Sequence, residues 1–311
     1  MYFPYLRGKQ YELLALKELI GLPLNPEKII PIIEPVTFNT SSLESALKKL
    51  SQAGIRIQLI VNPEVGELKG HGRLLTKIIK DFSNEGVENI IPTYIIRNEK
   101  EVIPVQESII DNNYNKEGYA LIHLNKTNNI QNLSDFAKNS KCLFNTIHFN
   151  ILHGHREKFE HRALLNDYFI KQIANVNYIP IPEEIFSTDY LEYPAHGCIG
   201  FSDYQTIGHG FKKGGGPAYA VAIHLTFKDN GDGDIRVAHF VSDYNDDQKD
   251  PARKFFEALD KLIKFADERN VTETLGLAEF RKHHKNQTYP GLGVVKKLSI
   301  MHHIELIQGL I

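Results

Sequence analysis

The chain has 311 residues, enough for one large barrel or two ordinary domains, and its 42% apolar and 24% charged residues are typical of a folded protein. A formal net charge of −2 argues against a protein held mainly by the phosphate backbone of a nucleic acid, which needs a basic surface. The two cysteines, Cys142 and Cys198, lie far apart in sequence, which indicates a reducing compartment and excludes a metal motif built on cysteine.

The first residues lack the pattern of a secretory signal. Residues 1–19 have no basic start followed by an unbroken apolar core. No window approaches the roughly 18 consecutive apolar residues that a membrane-spanning helix needs. We therefore expect a cytoplasmic protein that does not enter a membrane.

Short β-rich runs alternate with helical patterns along the first half of the chain. The runs are almost continuously apolar, as expected for strands whose two faces are both covered. The predicted strands are residues 28–35, 56–62, 89–96, 119–125 and 143–152. The predicted helices are residues 41–52, 72–82, 99–110 and 133–139.

The alternation continues into the second half. A helix is predicted at 159–173, and strands are predicted at 177–181, 198–203 and 220–227. Eight strands alternating with helices through right-handed crossovers favour a closed, TIM-like (β/α) barrel. An open, doubly wound parallel sheet is the alternative.

The last third of the chain departs from this alternation. Residues 228–234 (KDNGDGD) read as the tip of a β-hairpin between strands at 220–227 and 235–243. Residues 251–269 carry the apolar spacing of an amphipathic helix, and 298–310 form a closing helix or strand. With no linker and no repeat in the sequence, we predict a single barrel-like domain over 1–311.

Polar residues gather where the predicted strands end. Because active sites of such barrels lie at the carboxyl ends of the strands, these residues are candidates for a site. Asp203 could orient His224 and raise its pKa, while Arg97 could bind an anionic group. The alternative is that these side chains cap loops and pair with one another. The residues at the strand ends are Glu34, Asn62, Arg97, His123 or Asn125, Asp203 and His224.

A glycine-rich loop separates the last two predicted barrel strands. It carries Lys212 and Lys213 between five glycines in the range 208–216. The loop is either a mobile lid or a cradle whose backbone N–H groups and lysines bind a phosphate or carboxylate. It lacks the glycine spacing and the following helix of the known nucleotide-binding fingerprints.

Histidines and acidic residues elsewhere give weaker signals. His153, His155 and His161 could ligate zinc or iron with a carboxylate from elsewhere, or mark a solvated helix start. The acidic run 229–234 lacks the glycine position and the helix pair of a calcium-binding EF-hand loop. We predict no metal site, and the sequence indicates no particular cofactor.

Four segments carry a resemblance to a known family. They are MYFPYLRGKQYELLAL at the start, IIPIIEP, GFSDYQTIG and GGPAYAVAIHLTF. Together they resemble the beta-protein-like family of bacterial and satellite-phage defence loci, and in particular the branch encoded beside a small nuclease-like partner. The resemblance implies a barrel-like fold and a place in anti-phage defence or toxin–antitoxin gene pairs, and it implies no reaction.

The resemblance also selects residues. The matching positions are Arg7, Gly8, Lys9, Gln10, Glu34, Asp203, Tyr204 and His224, with His302 and His303 as a divergent form of a double-histidine ending. With the strand-end residues, we predict a catalytic set and a ligand-binding set. The catalytic set is Glu34, Arg97, Asp203 and His224. The ligand-binding set is Arg7, Lys9, Asn62, His123, Tyr204, Lys212 and Lys213.

Three classes of function remain open from the sequence. The first is a barrel protein of a defence gene pair that binds or processes a small anionic or nucleotide-like ligand. The second is a non-catalytic partner or immunity protein that binds and controls a nuclease-like toxin. Direct nucleic-acid binding, the third, has little support from the charge balance.

Overall fold

The structure is a computed structural model that describes residues 1–21, 24–151, 153–214 and 219–311. Its contacts divide the chain into two compact units. The barrel unit comprises Met1–Leu13, Asn25–Asn166 and Asp189–Asp203. The hairpin unit comprises Leu14–Leu24, Asp167–Thr188 and Tyr204–Ile311. That the chain is a single domain stays a prediction.

Eight parallel strands form the sheet of the barrel unit, in the order β1-β2-β3-β4-β5-β6-β7-β9. They are β1 Tyr5–Leu6, β2 Ile32–Ile33, β3 Ile57–Ile60, β4 Ile90–Ile96, β5 Tyr119–His123, β6 Cys142–His148, β7 Arg162–Asn166 and β9 Gly200–Asp203. The hairpin unit contains β8 Glu183–Ser187, β10 Ala222–Lys228 and β11 Ile235–Val241.

Helices connect most of these strands and follow the last of them. In the first part of the chain they are α1 Gln10–Leu19, α2 Ser41–Gln52, α3 Gly72–Asn84, α4 Val102–Asp111, α5 Tyr114–Glu117 and α6 Ile130–Lys138. In the second part they are α7 His153–Arg156, α8 Asp189–Glu192, α9 Pro251–Glu268, α10 Leu275–Asn286 and α11 Leu292–Leu310.

The N-terminal segment closes the sheet. Tyr2 forms a parallel bridge with Phe201 of β9, and the amide of Phe3 donates to the Phe201 carbonyl at 2.9 Å. The amide of Phe201 donates in turn to the carbonyl of Met1 at 3.1 Å. The barrel unit is therefore a TIM-like (β/α) barrel, and the predicted fold class is confirmed, including the hairpin and the C-terminal helices.

Side-chain contacts identify the two faces of the barrel wall. The ring of Phe3 lies 5.2 Å from the ring of Phe144 on β6, and the guanidinium of Arg56 lies 5.5 Å from the Phe144 ring centre. Phe3 and Phe144 are buried in the interior at the amino ends of the strands, whereas Arg56 is exposed at that end. Tyr94 of β4 faces outward instead, since its hydroxyl lies 3.0 Å from the hydroxyl of Ser108 on α4.

Two barrel strands were not predicted from the sequence: β7 lies where a helix was predicted, and β1 lies where no strand was predicted. Residues 162–166, predicted as part of a helix over 159–173, form β7, directly after His161 at a left-handed φ of +46°. That conformation breaks any helix through the segment. β1 completes the count of eight, and its two residues after Pro4 are too few for a recognisable strand pattern.

Two other predicted barrel strands are wrong. The first two residues of the segment 177–181 belong to a 3₁₀ turn, Asn175–Tyr178. The segment also contains Pro180, whose missing N–H weakens strand pairing. The run predicted at 220–227 is β10, which pairs antiparallel with β11. The six residues between β10 and β11 allow a hairpin, whereas a parallel barrel strand needs a long crossover.

The hairpin unit has a three-stranded antiparallel sheet in the order β10-β11-β8. Helix α9 begins as its sequence predicts, with Pro251 in the first turn and the Asp250 carboxylate accepting from the amide of Arg253 at 3.0 Å. The buried face of α9 packs against β10 and β11. The closing segment predicted at 298–310 lies in the helix α11, which packs on β10.

Candidate functional site

A buried ionic network lies at the carboxyl ends of β1 and β2. The Glu34 carboxylate is fully buried and accepts from the Tyr5 hydroxyl at 2.6 Å and from the Arg7 guanidinium. Its other oxygen accepts from the backbone amides of Glu64 and Val65 at 2.6 and 3.3 Å. The structure therefore brings Glu34 and Arg7 together as a buried ion pair in which Glu34 positions Arg7 and the loop after β3.

The segment after β1 begins helix α1. The backbone amide of Arg7 donates to the Glu12 carboxylate at 2.7 Å, and the carbonyl of Lys9 accepts from the amides of Glu12 and Leu13. Gly8 adopts a φ of +63°, which favours glycine in this turn. Lys9 is half-buried beside these residues at the carboxyl end of the barrel.

Asn62 and Arg97 line one cleft of about 800 Å³ in the barrel unit, between α3 and α4. The amide group of Asn62 exchanges two hydrogen bonds of 2.8 Å with the backbone of Ile95 and so ties β3 to β4. The Nε of Arg97 donates to both oxygens of Glu101 at 2.8 and 3.0 Å. Among the described residues, the two Nη groups of Arg97 have no hydrogen-bond partner.

The start of α3 also lines this cleft. His71 is the N-cap residue but makes no capping bond, and the first turn of the helix carries no acidic side chain. An added Cβ at Gly72 would lie 2.5 Å from the carbonyl oxygen of Val61, so glycine allows the helix to begin directly against the end of β3. Arg73 follows with an exposed side chain, and both His71 and Arg73 line the cleft.

The cleft changes character along its length. Because α3 and α4 run back from the carboxyl ends of the strands, their first residues, near Arg73 and Arg97, lie at that face of the barrel. Further along α4 the lining carries the carboxylates of Glu107 and Asp111 and the amide of Asn112. One end of the cleft therefore carries Arg73 and Arg97, the latter paired with Glu101, and the other end carries carboxylate and amide groups.

Asp203 faces the outer side of the barrel wall rather than its interior. Its carboxylate accepts from the hydroxyl of Tyr2 at 2.9 Å. Tyr2 alternates with the inward-facing Phe3, and in an extended segment neighbouring side chains point to opposite faces. The predicted pairing of Asp203 with His224 stays a prediction.

His123 also lies on the outer face of the wall. Its ring lies 4.4 Å from that of Phe159, and its Nε2 lies 3.1 Å from the Asn145 side-chain oxygen. Burial lowers the pKa of His123 to about 4, so the imidazole is neutral at pH 7. His123 therefore packs between the sheet and its covering layer. Asn125 is the residue that the sequence offered as the alternative to His123 at this strand end. Its side-chain amide donates to the Arg97 carbonyl at 2.8 Å.

His224 belongs to the antiparallel sheet of the hairpin unit. Its Nδ1 lies 2.8 Å from the Nδ1 of His239, which stands directly opposite on β11. Burial is the larger cause and the neighbouring His239 the smaller cause that lower the pKa of His224 to about 3. The sequence predicted a raised pKa for His224, and that prediction is wrong. The Nε2 of His239 lies 3.1 Å from the carboxylate of Glu184 on β8.

The segment after β9 carries the remaining predicted ligand-binding residues. The ring of Tyr204 is buried and lies 5.0 Å from that of His209. Lys212 and Lys213 are exposed, and each has an interaction partner. Gly215 and Gly216 lie outside the described residues, so the prediction of a lid falls partly outside them.

Buried Gln205 adopts a left-handed φ of +52°, a conformation that costs energy for a residue other than glycine. No sequence pattern predicts this strain.

In the part of the chain that the structure describes, no group of three or more His, Cys, Asp or Glu side chains is placed to hold a metal ion. His302 is buried in α11, with Thr274 Oγ1 at 2.7 Å from its Nδ1 and the carbonyl of Thr226 at 2.6 Å from its Nε2. His303 contacts the Thr226 hydroxyl at 2.9 Å. Both histidines therefore connect α11 to β10.

Sequence reasoning missed His239 and Glu184, although one signal was present. Lys228 pairs with Ile235, so the tip is Asp229–Asp234, and counting four residues outward from that pair places His224 opposite His239. The predicted tip of 228–234 is one residue too long and shifts this register by one. The carboxylate of Glu184 comes from β8, which pairs with β11 only through the tertiary fold. Arg73 was missed because it lies on a helix start rather than at a strand end.

Comparison of the chain with protein-family models gives no match, and comparison with curated proteins gives none either. Among the described residues, no helix combines the length and the apolar character needed to cross a membrane.

Proposed function

We propose that this chain is a cytoplasmic component of an anti-phage defence or toxin–antitoxin-type gene pair, and that its barrel binds a small anionic or nucleotide-like ligand. The gene-pair role rests on the resemblance of the chain to the beta-protein-like family. The ligand rests on one observation: Arg73, Arg97 and the uncapped start of α3 line the same cleft between α3 and α4.

The physical argument for an anion is electrostatic. An uncapped helix start has backbone N–H groups without intrahelical partners and lies at the positive end of the helix dipole. The guanidinium groups of Arg73 and Arg97 add charge and planar donors that suit phosphate or carboxylate. A volume of about 800 Å³ is in the usual range for a small-molecule site.

The remainder of the lining favours a nucleotide-like molecule over a simple ion. Ser108, Glu107 and Asn112 offer hydrogen-bonding groups further along the cleft from the arginines. A ligand with a phosphate at one end and a sugar or base at the other matches this distribution of charge and polarity. No reaction is part of the proposal for this cleft.

Calorimetric titration with a panel of AMP, ATP, cyclic nucleotides and inorganic phosphate tests the proposal. We expect at least one nucleotide to bind, and the variants R73Q and R97Q each to weaken its affinity tenfold or more, because each removes a charged donor. The matched control is K77Q, an exposed lysine of α3 that does not line the cleft. Absence of binding across the panel, or equal affinities in all variants, contradicts the proposal.

A second candidate function is that of a non-catalytic partner of the neighbouring nuclease-like protein. It is supported by three isoleucines in one short segment of the hairpin unit, Ile170, Ile173 and Ile179, which are 60%, 94% and 58% exposed. Exposed apolar groups concentrated in one segment are typical of protein-binding surfaces. Co-purification with the neighbouring protein, lost in I173D and kept in I110D of α4, supports this function, whereas no complex at micromolar concentration contradicts it.

A further inference from the structure

A carboxylate and two imidazoles form a continuous hydrogen-bonded row across the three strands of the hairpin unit. Glu184 of β8 contacts the Nε2 of His239 on β11 at 3.1 Å, and the Nδ1 of His239 contacts the Nδ1 of His224 on β10 at 2.8 Å. The two histidines are direct cross-strand partners in the antiparallel register. Rigid strands therefore hold all three groups.

The row permits only one arrangement of protons when both imidazoles are neutral. The Glu184 carboxylate only accepts, so the proton of His239 is on Nε2 and its Nδ1 accepts. His224 then donates from Nδ1, and its Nε2 carries a lone pair. Burial lowers the pKa of both imidazoles, which agrees with the neutral state at pH 7.

The surroundings orient His224, and the row is partly accessible at both of its ends, His224 and Glu184. The rings of Phe169 and Tyr178 lie 4.9 and 4.6 Å from the His224 ring in edge-on contacts. The side chain of His239 is fully buried, whereas His224 is half-buried. Burial raises the pKa of Tyr178, so the hydroxyl beside the row is neutral at pH 7.

A cationic loop begins beside these rings. Gly208 has a φ of +72°, and a Cβ added to it would lie 3.6 Å from a ring carbon of Phe169. The loop continues to the exposed side chains of Lys212 and Lys213. Positive charge in a loop that starts at the wall of the row favours a substrate with an anionic group.

We propose that Glu184, His239 and His224 form a proton relay in which His224 Nε2 is a general base for the hydrolysis of an anionic ester. A water molecule gives a proton to His224 Nε2 as its oxygen attacks the ester, and the Nδ1 proton of His224 crosses to His239 Nδ1. The positive charge then lies on His239, which keeps its Nε2 proton beside the Glu184 carboxylate.

The reverse transfer completes the cycle. The proton returns from His239 to His224 Nδ1, and the Nε2 proton passes to the oxygen of the leaving group as the ester bond breaks. The atoms and charges balance with water as the only co-reactant. His224 is the catalytic residue, whereas His239 and Glu184 are positioning residues that act through it. This chemistry is independent of the cleft in the barrel unit.

The test combines hydrolysis with NMR spectroscopy of the whole chain. The probes are p-nitrophenyl phosphate and bis(p-nitrophenyl) phosphate, with neutral p-nitrophenyl acetate for comparison. We expect hydrolysis of an anionic probe, a hundredfold or greater loss in H224Q, and a loss of about tenfold in E184Q with a shifted pH–rate profile. The matched control E183Q changes the adjacent residue of β8, which pairs with Arg236.

Nitrogen-15 spectra of the histidine rings provide a readout that does not need activity. We expect the wild-type protein to carry the His224 proton on Nδ1 and the His239 proton on Nε2, and E184Q to change the proton distribution between the two rings. A His224 proton on Nε2 in the resting protein overturns the relay. No hydrolysis of any anionic probe, or equal rates in the wild type and H224Q, overturns the proposed reaction.

Discussion

At the scale of single residues, the chemistry of the barrel end depends on one buried carboxylate. Glu34 accepts from Tyr5 and from Arg7 on one oxygen and from two backbone amides on the other. Removal of one partner from a buried ion pair leaves the other charge without compensation, which costs more than the pair itself contributes. The role of Glu34 is therefore to hold Arg7 and the loop after β3 in place.

We expect E34Q to lower the free energy of unfolding by about 3 kcal/mol. Glutamine keeps the volume and one acceptor oxygen, but its amide nitrogen cannot accept from Tyr5 and Arg7. Urea denaturation measures the change. The control E44Q removes an exposed carboxylate of α2, and we expect it to change stability by less than about 0.5 kcal/mol. Equal midpoints for the two variants contradict the role given to Glu34.

At the scale of elements, closure of the barrel depends on the approach of β9 to the N-terminal segment. Gly200 begins β9, and a Cβ at this position would lie 2.2 Å from the carbonyl oxygen of Met1 and 2.8 Å from the ring of Phe3. Both distances are shorter than van der Waals contact, and the first group belongs to the backbone. Glycine is therefore required here because the two chain segments meet closely.

We expect G200A to lower the free energy of unfolding by about 2 kcal/mol or more, because the clash opens the seam between β9 and Phe3. The measurement is urea denaturation followed by circular dichroism. G309A in α11 is the matched control, since a Cβ there meets nothing within 4 Å. We expect G309A to leave stability unchanged or to raise it by up to about 1 kcal/mol, because alanine favours helix. A G200A variant as stable as G309A contradicts the packing argument.

At the scale of the whole molecule, buried neutral histidines link stability to pH. Burial lowers the pKa of His123 and of His302 to about 4, and that of His224 to about 3. An unfolded chain binds protons at these histidines with a pKa near 6.5, whereas the folded chain does not. Stability is therefore complete above pH 6.5 and decreases as the pH falls from that value toward the folded pKa values.

We expect the free energy of unfolding to decrease by about 4 kcal/mol between pH 7.5 and 5.5, roughly 1.4 kcal/mol for each of these three groups. Carboxylates with ordinary pKa values titrate below this interval, so the change reports on the histidines. Urea midpoints at several pH values measure it. The control H153Q removes a largely exposed imidazole and keeps the same pH dependence. A stability that does not change over this interval contradicts the burial of these rings as neutral groups.

The sequence by itself determined the elements whose patterns are local. The helix α9, the hairpin of β10 and β11 and four of the central barrel strands follow from apolar spacing, turn residues and caps, which depend only on neighbours in the chain. Glu34, Asn62 and Arg97 were placed correctly at strand ends for the same reason. The pattern of alternating strands and helices was also sufficient to predict the barrel.

Only the tertiary structure decided which strands close the barrel and which polar groups meet. β7 and β1 have short, ambiguous sequences, and their pairing is stabilised by neighbours distant along the chain. Alternation along β9 turns Asp203 outward, and the hairpin register pairs His224 with His239. The physical reason is that side-chain direction and partner choice depend on strand pairing over long sequence separations, which local patterns do not encode.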